Sequence, residues 1–345
     1  MSKIKAPVER EYAAKKKRTT GVRSTVYKPF EAPLSSLNLP AVLSPIFSDI
    51  TPNPGYMRIW PDENENIELV DSKYGPVPKG SVLSYQQCKP KASKTSTLDP
   101  TIHVPDFKLP TLFCPKIVLN EREQLFYESL SVTNQEALKY ELETREQSSA
   151  PDWHRLRKHR LTASHFKEIC SRKQNFDSLS QRLMNGKIIN TAAVRHGIIH
   201  EEEAAQAYSQ VSGNGILPVG FIINPSVPHL GSSPDRRVYD PTEVSPWGLL
   251  ELKCTMHEQL SELNYLKLNE EEGKYYLKKN HAHYYQVLGC LGLSGCEWED
   301  FYVQCSGSGE YHLERIYFNS NLFSEMLTQL NIFYFNFHLP FCVQQ

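Results

Sequence analysis

Apolar positions take up helix and strand spacing only after the first third of the chain. Leu119, Phe126 and Leu130 fall roughly on one face of a helix expected over 119–130. Thr133 and Glu136 make the Ser/Thr-x-x-Glu start of a second helix, which runs through ALKYELETREQ. After a Ser-Ser-Ala-Pro break, helices are expected over 164–171, 176–185 and 191–210, the last ended by Ser212-Gly213-Asn214-Gly215. Strands are expected at 216–223, 230–239 and 248–254, then helices over 256–266 and 281–293. Strands at 299–304 and 311–318 and an amphipathic helix over 322–337 complete the pattern. A helix, three strands, a helix and more strands predict an α/β sandwich core.

The earlier third reads differently. Fifteen of the 23 prolines lie at or before Pro115, among stretches such as KPKASKTSTLDPTIHVPD. Residues 1–115 are therefore expected to be a Pro-rich, basic-tipped arm, mostly extended or disordered. Short apolar pieces such as Ala41–Phe47 could dock on the body. Residues 116–345 are the expected folded domain, with 116–150 as a helical lead-in.

Composition narrows the class. Hydrophobic residues make up 40% and charged residues 22% of 345, enough for a globular core. The net charge of −1 excludes a uniformly basic nucleic-acid coat, although residues 1–30 carry nine Lys/Arg against Glu9 and Glu11. No apolar run reaches the roughly 18–20 residues of a membrane span, and the first residues have no secretory pattern. A nuclear or cytoplasmic, non-secreted protein is expected, with its eight sparse cysteines as reduced thiols. No CxxC pair exists, and a metal cluster of Cys290, Cys296, His281 and His283 is disfavoured, because the histidines and Cys290 fit one helix and need not converge.

The candidate chemistry lies in three segments. In the strand Gly248-Leu-Leu-Glu-Leu-Lys-Cys254, Leu250 and Leu252 share one face, and Glu251 and Lys253 share the other. An exposed ion pair on an edge strand would read the same way. Asp235, in Gly231-Ser-Ser-Pro-Asp235, can reach Glu251 across a hairpin, although a turn residue after proline is equally ordinary. Two close carboxylates need a cation, and oxygen donors suit Mg²⁺ or Mn²⁺. Gly197, Glu201, Ala204 and Tyr208 share a helix face, so Glu201 points inward and needs a partner or a function. A core glutamate paired with an arginine is the plainer alternative. Taken together, carboxylates holding a divalent ion, with Lys253 orienting water or stabilising charge, match phosphodiester hydrolysis.

At these residues the sequence resembles the YqaJ-like viral recombinase family, which includes the lambda-type phage exonucleases, within the PD-(D/E)xK nuclease superfamily. The resemblance covers about Trp153 to Phe318. It rests on Trp153-His-Arg-Leu-Arg157, Leu161-Thr-Ala-Ser164, Gly197-x3-Glu201-x2-Ala204-x3-Tyr208, Ser232-x-Pro234-Asp235, Glu251-Leu-Lys253 and Tyr285-Gln286. It implies a restriction-endonuclease-like core, a mixed central sheet flanked by helices. It implies Asp235, Glu251, the Leu252 carbonyl and Glu201 as metal donors, Lys253 as catalytic lysine and Gln286 as support for the metal or scissile phosphate. Arg157 and Ser164 would hold a 5′-terminal phosphate, with Arg160 as a further substrate contact. Trimeric rings occur in the family. Two positions depart from its pattern, Arg236 where a glycine usually follows the aspartate and Leu288 where a second glutamine is common.

Residues 153–173 hold seven Lys/Arg against Glu168, either a DNA-tracking surface or a solvated helix face. Lys15–Arg18 reads as an import signal, a DNA tether or a solvated tail. Trp153 and Trp247 are expected to pack, and His281 and His283 to lie on the surface or behind the site. The expectation is a Mg²⁺-dependent 5′→3′ exonuclease acting on linear duplex with a 5′-phosphate, in recombination or end processing. The rivals are a silent DNA-binding module and an endonuclease on the same fold.

Overall fold

The computed structural model describes residues 69–72, 75–79, 94–186 and 191–344. Lys15–Arg18, Ala41–Phe47 and Cys88 lie outside them. The chain divides into two compact units, Met1–Pro90 and Lys91–Gln345. In the first, the described part is an antiparallel hairpin of β1 (Leu69–Ser72) and β2 (Gly75–Pro78).

The second unit is built on helices whose ends are written locally. Asn120 caps α1 (Glu121–Ser129) and Thr133 caps α2 (Asn134–Glu143), each with a reciprocal bond from the glutamate three residues on. Pro151 opens the short α3 (Pro151–Arg157). The two-residue strand β3 (Leu161–Thr162), α4 (Phe166–Ser171) and α5 (Phe176–Asn185) follow. The long α6 (Ala192–Ser212) is capped by Thr191 and stopped by Gly213, whose φ of 75° ends the helix in the left-handed region.

Five strands form a mixed sheet in the order β11-β10-β7-β6-β4. β4 (Gly215–Pro218), β6 (Arg236–Tyr239) and β7 (Trp247–Thr255) run antiparallel as neighbours. β10 (Trp298–Cys305) lies parallel to β7, and β11 (Tyr311–Tyr317) antiparallel to β10. Between β7 and β10 the chain makes a hairpin, β8 (Leu266–Asn269) and β9 (Lys274–Leu277), and then α7 (Ala282–Ser294). The chain closes with α8 (Ser320–Phe333), a π-type turn over Tyr334–His338 and α9 (Leu339–Cys342).

Both faces of the sheet are covered. On one, Ala204, Ala205 and Tyr208 of α6 pack on Ile216, Val238, Leu250, Leu252, Trp298 and Tyr302. Tyr208 also donates to the buried Asp300 at 2.5 Å, and Arg315 clamps the same carboxylate from β11. On the other face, α4, α7 and α8 enclose Leu249, Phe301 and Val303 with Phe166, Leu288 and Phe323. Helix α7 passes close to Phe166 because residue 289 is glycine: a Cβ there would lie 2.6 Å from the ring. The expected sandwich, a mixed central sheet flanked by helices, is the observed one.

Three expectations need correction. Residues 256–266 are not a helix; they contain a single 3-10 turn, Leu260–Glu262, before β8. Leu260, Leu263 and Leu266 are buried one by one from irregular backbone, and the Leu260 N–H donates to Glu310 rather than into a helix. The expected strands at 216–223 and 230–239 are each interrupted. The first ends at Pro218, and the second becomes β5 (Leu230–Gly231), paired with β3, and β6 on either side of Pro234. The compact unit also begins before Lys116. Residues 94–115 carry no helix or strand, yet they are bonded to the body. The Thr97 N–H donates to the Ile216 carbonyl, the Ile216 N–H donates to the Thr97 hydroxyl, and Asn224 donates to Pro110.

Candidate active site

Asp235 stands between β5 and β6, directly before Arg236. Its N–H donates to the Leu250 carbonyl at 3.0 Å, and its Oδ2 accepts from the Leu252 N–H at 2.7 Å. This pairing fixes the carboxylate beside the middle of β7, where Glu251 and Lys253 project to the same face. Glu251 is 1% exposed; its Oε1 accepts from the Lys253 amine and, at 2.6 Å, from Gln286 Nε2 of α7. Its other oxygen, Oε2, is buried without a hydrogen-bond partner.

Burial and crowding set the electrostatics. Burial pushes the Glu251 carboxyl up to about 7 against the pull of Lys253, with Asp235 adding to the rise. Asp235 is raised by burial and then by Glu201, with Lys253 and Lys94 opposing. Burial disfavours the Lys253 ammonium, but Glu251 and Asp235 outweigh it and hold it charged above the usual lysine range. Acidic groups packed this closely are costly unless a cation joins them.

Glu201 comes from α6 and is within electrostatic reach of both other carboxyls. It does not close with them into a tight triad. Among the described residues, the one set of three or more such donors within 4.8 Å of one another is Glu251, Cys290 and Glu299. Glu201 instead accepts from Arg236 at 2.8 Å and pairs with Lys94 at 3.0 Å. Burial would raise its carboxyl, but the two cations more than offset this and hold it below the usual value. The arginine pairing left open for this glutamate is therefore present. Glu202, next along α6, accepts from the Thr95 N–H at 3.0 Å and from Arg236 at 2.6 Å. Lys94 also approaches the Asp235 carbonyl at 3.5 Å. Its amine thus sits where Glu201 and Asp235 face each other.

The phosphate-side candidates separate. Arg157 stacks on Trp153 at 4.1 Å and donates to the Ser233 hydroxyl at 3.1 Å, two residues from Asp235. Burial lowers its guanidinium to about 10. Ser164 is exposed in the 3-10 turn before α4, with Thr162 as its hydroxyl partner. Arg160 is not available to a substrate: all three guanidinium nitrogens donate to the backbone carbonyls of Pro228, Leu156 and Leu130 at 2.8 Å. It ties α1, α3 and the β5 approach together, and its assignment as a substrate contact is withdrawn. Of the remaining basic stretch, Arg155 pairs with Asp152, Arg172 with Glu168, and Lys167 lies 4.5 Å over the Tyr285 ring.

Residues 152–297 match the family model of the YqaJ-like viral recombinase domain. This part of the chain is similar to that domain. Its solved structural relatives include an alkaline exonuclease from Laribacter hongkongensis (TM-score 0.45, 22% identity, 56% of this chain and 94% of that one). The shutoff and exonuclease protein of Kaposi's sarcoma-associated herpesvirus gives a TM-score of 0.41 at 13% identity, over 59% of this chain and 73% of that one. A phage-related exonuclease from Haemophilus somnus gives 0.36 at 11%, over 54% and 94%. No curated protein matches the chain.

Within residues 152–297 the two departures from that family's pattern acquire physical meanings. Leu288 is fully buried in the core between α7 and α4, where a glutamine would lack partners. Arg236 is fully buried and bridges Glu201, Glu202 and the Asp235 carbonyl. Trp153 and Trp247 pack as expected: Trp153 donates to Ser233, and Trp247 meets Phe107 and Tyr239 edge-on or tilted. His281 and His283 lie against Tyr265, and burial drops the His283 imidazole to about 2, so it is neutral. Lys94, Glu202 and Glu299 escaped the sequence reading. Among the described residues no helix is long and apolar enough to cross a membrane.

Proposed function

We propose that the domain is a divalent-metal-dependent deoxyribonuclease that digests linear duplex DNA from its ends. One observation carries this reading. Asp235 is bonded to the backbone of β7, and beside it Lys253 and Gln286 both donate to Glu251. The donors fit a hard divalent cation such as Mg²⁺ or Mn²⁺: they are oxygens, and two of the carboxyls are raised by burial and crowding. Asp235, Glu251 and the Leu252 carbonyl would hold the ion, with Glu201 joining once Lys94 gives way. A bound divalent ion supplies Lewis acidity toward a phosphoryl oxygen and a lower pKa for water. Lys253, charged and anchored by Glu251, orients water and stabilises charge developing on the phosphate. Gln286 keeps Glu251 in place through its amide.

End recognition rests on Arg157 and Ser164. Arg157 is braced on Trp153, so its guanidinium is preorganised for a phosphate. Incubation of linear and closed circular duplex with Mg²⁺ or EDTA tests the function. Loss of linear DNA in Mg²⁺ alone, with the circle intact, is expected. Digestion of the circle makes the enzyme an endonuclease, and no digestion of either sinks the proposal. Arg157→Ala is expected to slow 5′-phosphorylated ends about tenfold or more relative to 5′-hydroxyl ends. Equal losses on both remove Arg157 from end binding.

A second reading, a nuclease fold that binds DNA without turnover, is favoured by one feature. Glu201 already has two cationic partners, Lys94 and Arg236. The same digestion assay separates the two readings. Import through Lys15–Arg18, assembly as a trimer and a role in recombination are extensions of the family reading.

A further inference from the structure

Behind Glu251 lies a second group of donors that phosphodiester chemistry does not use. Glu299 of β10 is fully buried, and neither of its carboxylate oxygens has a hydrogen-bond partner. Its strand neighbour across the β7–β10 ladder is Leu249, two residues before Glu251 on the same face of β7. Cys290 of α7 is fully buried as well, with the Ser232 hydroxyl beside its thiol. One ligand atom from each of Glu251, Cys290 and Glu299 lies within 4.8 Å of the other two.

The two oxygens of Glu251 face different partners. Oε1 is taken by Lys253 and Gln286, while Oε2 has none. Three unpartnered carboxylate oxygens and a thiol, drawn from three elements and closed off from water, are an expensive arrangement for an apolar core. They remain neutral acids, or a cation gathers them. A divalent ion at about 2.0–2.3 Å from oxygen and sulfur sets its ligands some 3–4 Å apart, which small side-chain rotations here would reach. A donor set of two carboxylates and a thiolate selects a borderline ion over Mg²⁺.

We infer that Glu251, Cys290 and Glu299 form an inner site for a borderline divalent cation of the Zn²⁺ or Co²⁺ kind, distinct from the oxygen donors at Asp235. Glu251 is shared between the two, one oxygen turned to each. An ion seated inside neutralises Glu299 and competes for Glu251, so the inner site is antagonistic to the outer one.

Co²⁺ reads this directly, because a thiolate ligand gives a near-ultraviolet charge-transfer band that oxygen ligands do not. The full chain, stripped with a chelator, is titrated with Co²⁺ and followed by absorbance. A saturable thiolate band is expected in the native protein and in Asp235→Asn. It should vanish in Cys290→Ser, and Glu299→Gln should weaken the Co²⁺ affinity about tenfold or more. Circular dichroism reports whether each variant folds; if Cys290→Ser does not, Glu299→Gln decides. No band in the native protein, a band that survives Cys290→Ser, or an unchanged affinity in Glu299→Gln overturns the inner site. The readout requires no hydrolysis, so it stands or falls separately from the nuclease reading.

Discussion

Replacement of Lys253 by alanine is expected to lower hydrolysis of linear duplex by about 10²–10³-fold or more, the scale of losing a preorganised charge at a reacting phosphate. Two effects act together. The amine that would stabilise developing charge is gone. In addition, Lys253 is the principal influence pulling the buried Glu251 carboxyl down, so its loss drives Glu251 further up and leaves it protonated over more of the neutral range. The residual activity should therefore shift to higher pH, which a purely structural role for Lys253 would not produce. Asp235→Ala should abolish turnover with no alkaline recovery. Both proteins should melt cooperatively, since the covered faces of the sheet are untouched. Native rates from Lys253→Ala would end the assignment.

The second large effect is on stability. A carboxyl raised to about 7 in the folded protein, against 4.5 ordinarily, contributes its full stability only below the ordinary value and loses it as pH rises through 7. For the fully buried Glu251 the loss amounts to about 3 kcal/mol at most. In chelator, the melting temperature should fall between about pH 5 and pH 8 as Glu251 and its neighbour Asp235 ionise against each other. Mg²⁺ or Mn²⁺ should shrink that fall, because an ion that binds only the folded state raises its stability. Asp235→Asn removes one of the crowded charges while leaving an acceptor for the Leu252 N–H. It should raise the metal-free melting temperature at pH 8 and abolish the response to Mg²⁺. Stability in chelator that is flat with pH would show that the two carboxyls are not held together unneutralised.

What could be read from the chain was mostly what is encoded locally. Thr133 and Glu136 act within three positions of each other, so the helix start near 134 follows from a short motif, whereas Asn120 and Thr191 cap α1 and α6 from within the ranges expected for those helices. The alternation in Gly248–Cys254 fixed which face Glu251 and Lys253 share, because strand period alone decides it. Long-range partners were hidden. Lys94 meets Asp235 across 141 positions, from a segment whose prolines give no periodic signal. Glu202 stands in a run of three glutamates that gives no sign of its partners, yet Arg236 and Thr95 reach it from elsewhere. Arg160 looked like a phosphate ligand by its place in a basic run, but two of its three carbonyl partners, Pro228 and Leu130, lie outside regular elements, where no pattern announces them. The apolar spacing of 256–266 imitates a helix, although each leucine is buried for its own tertiary reason.

The strap over residues 94–98 bears on where this protein can be shortened. It lies along β4, an outer strand of the five-stranded sheet, and it supplies the Thr97 bonds that the strand would otherwise offer to solvent. A version trimmed to begin at Lys116 would expose a bare strand margin, an invitation to self-association. The same cut would remove the amine beside Glu201, so trimming for solubility and altering the acidic cleft would be one event.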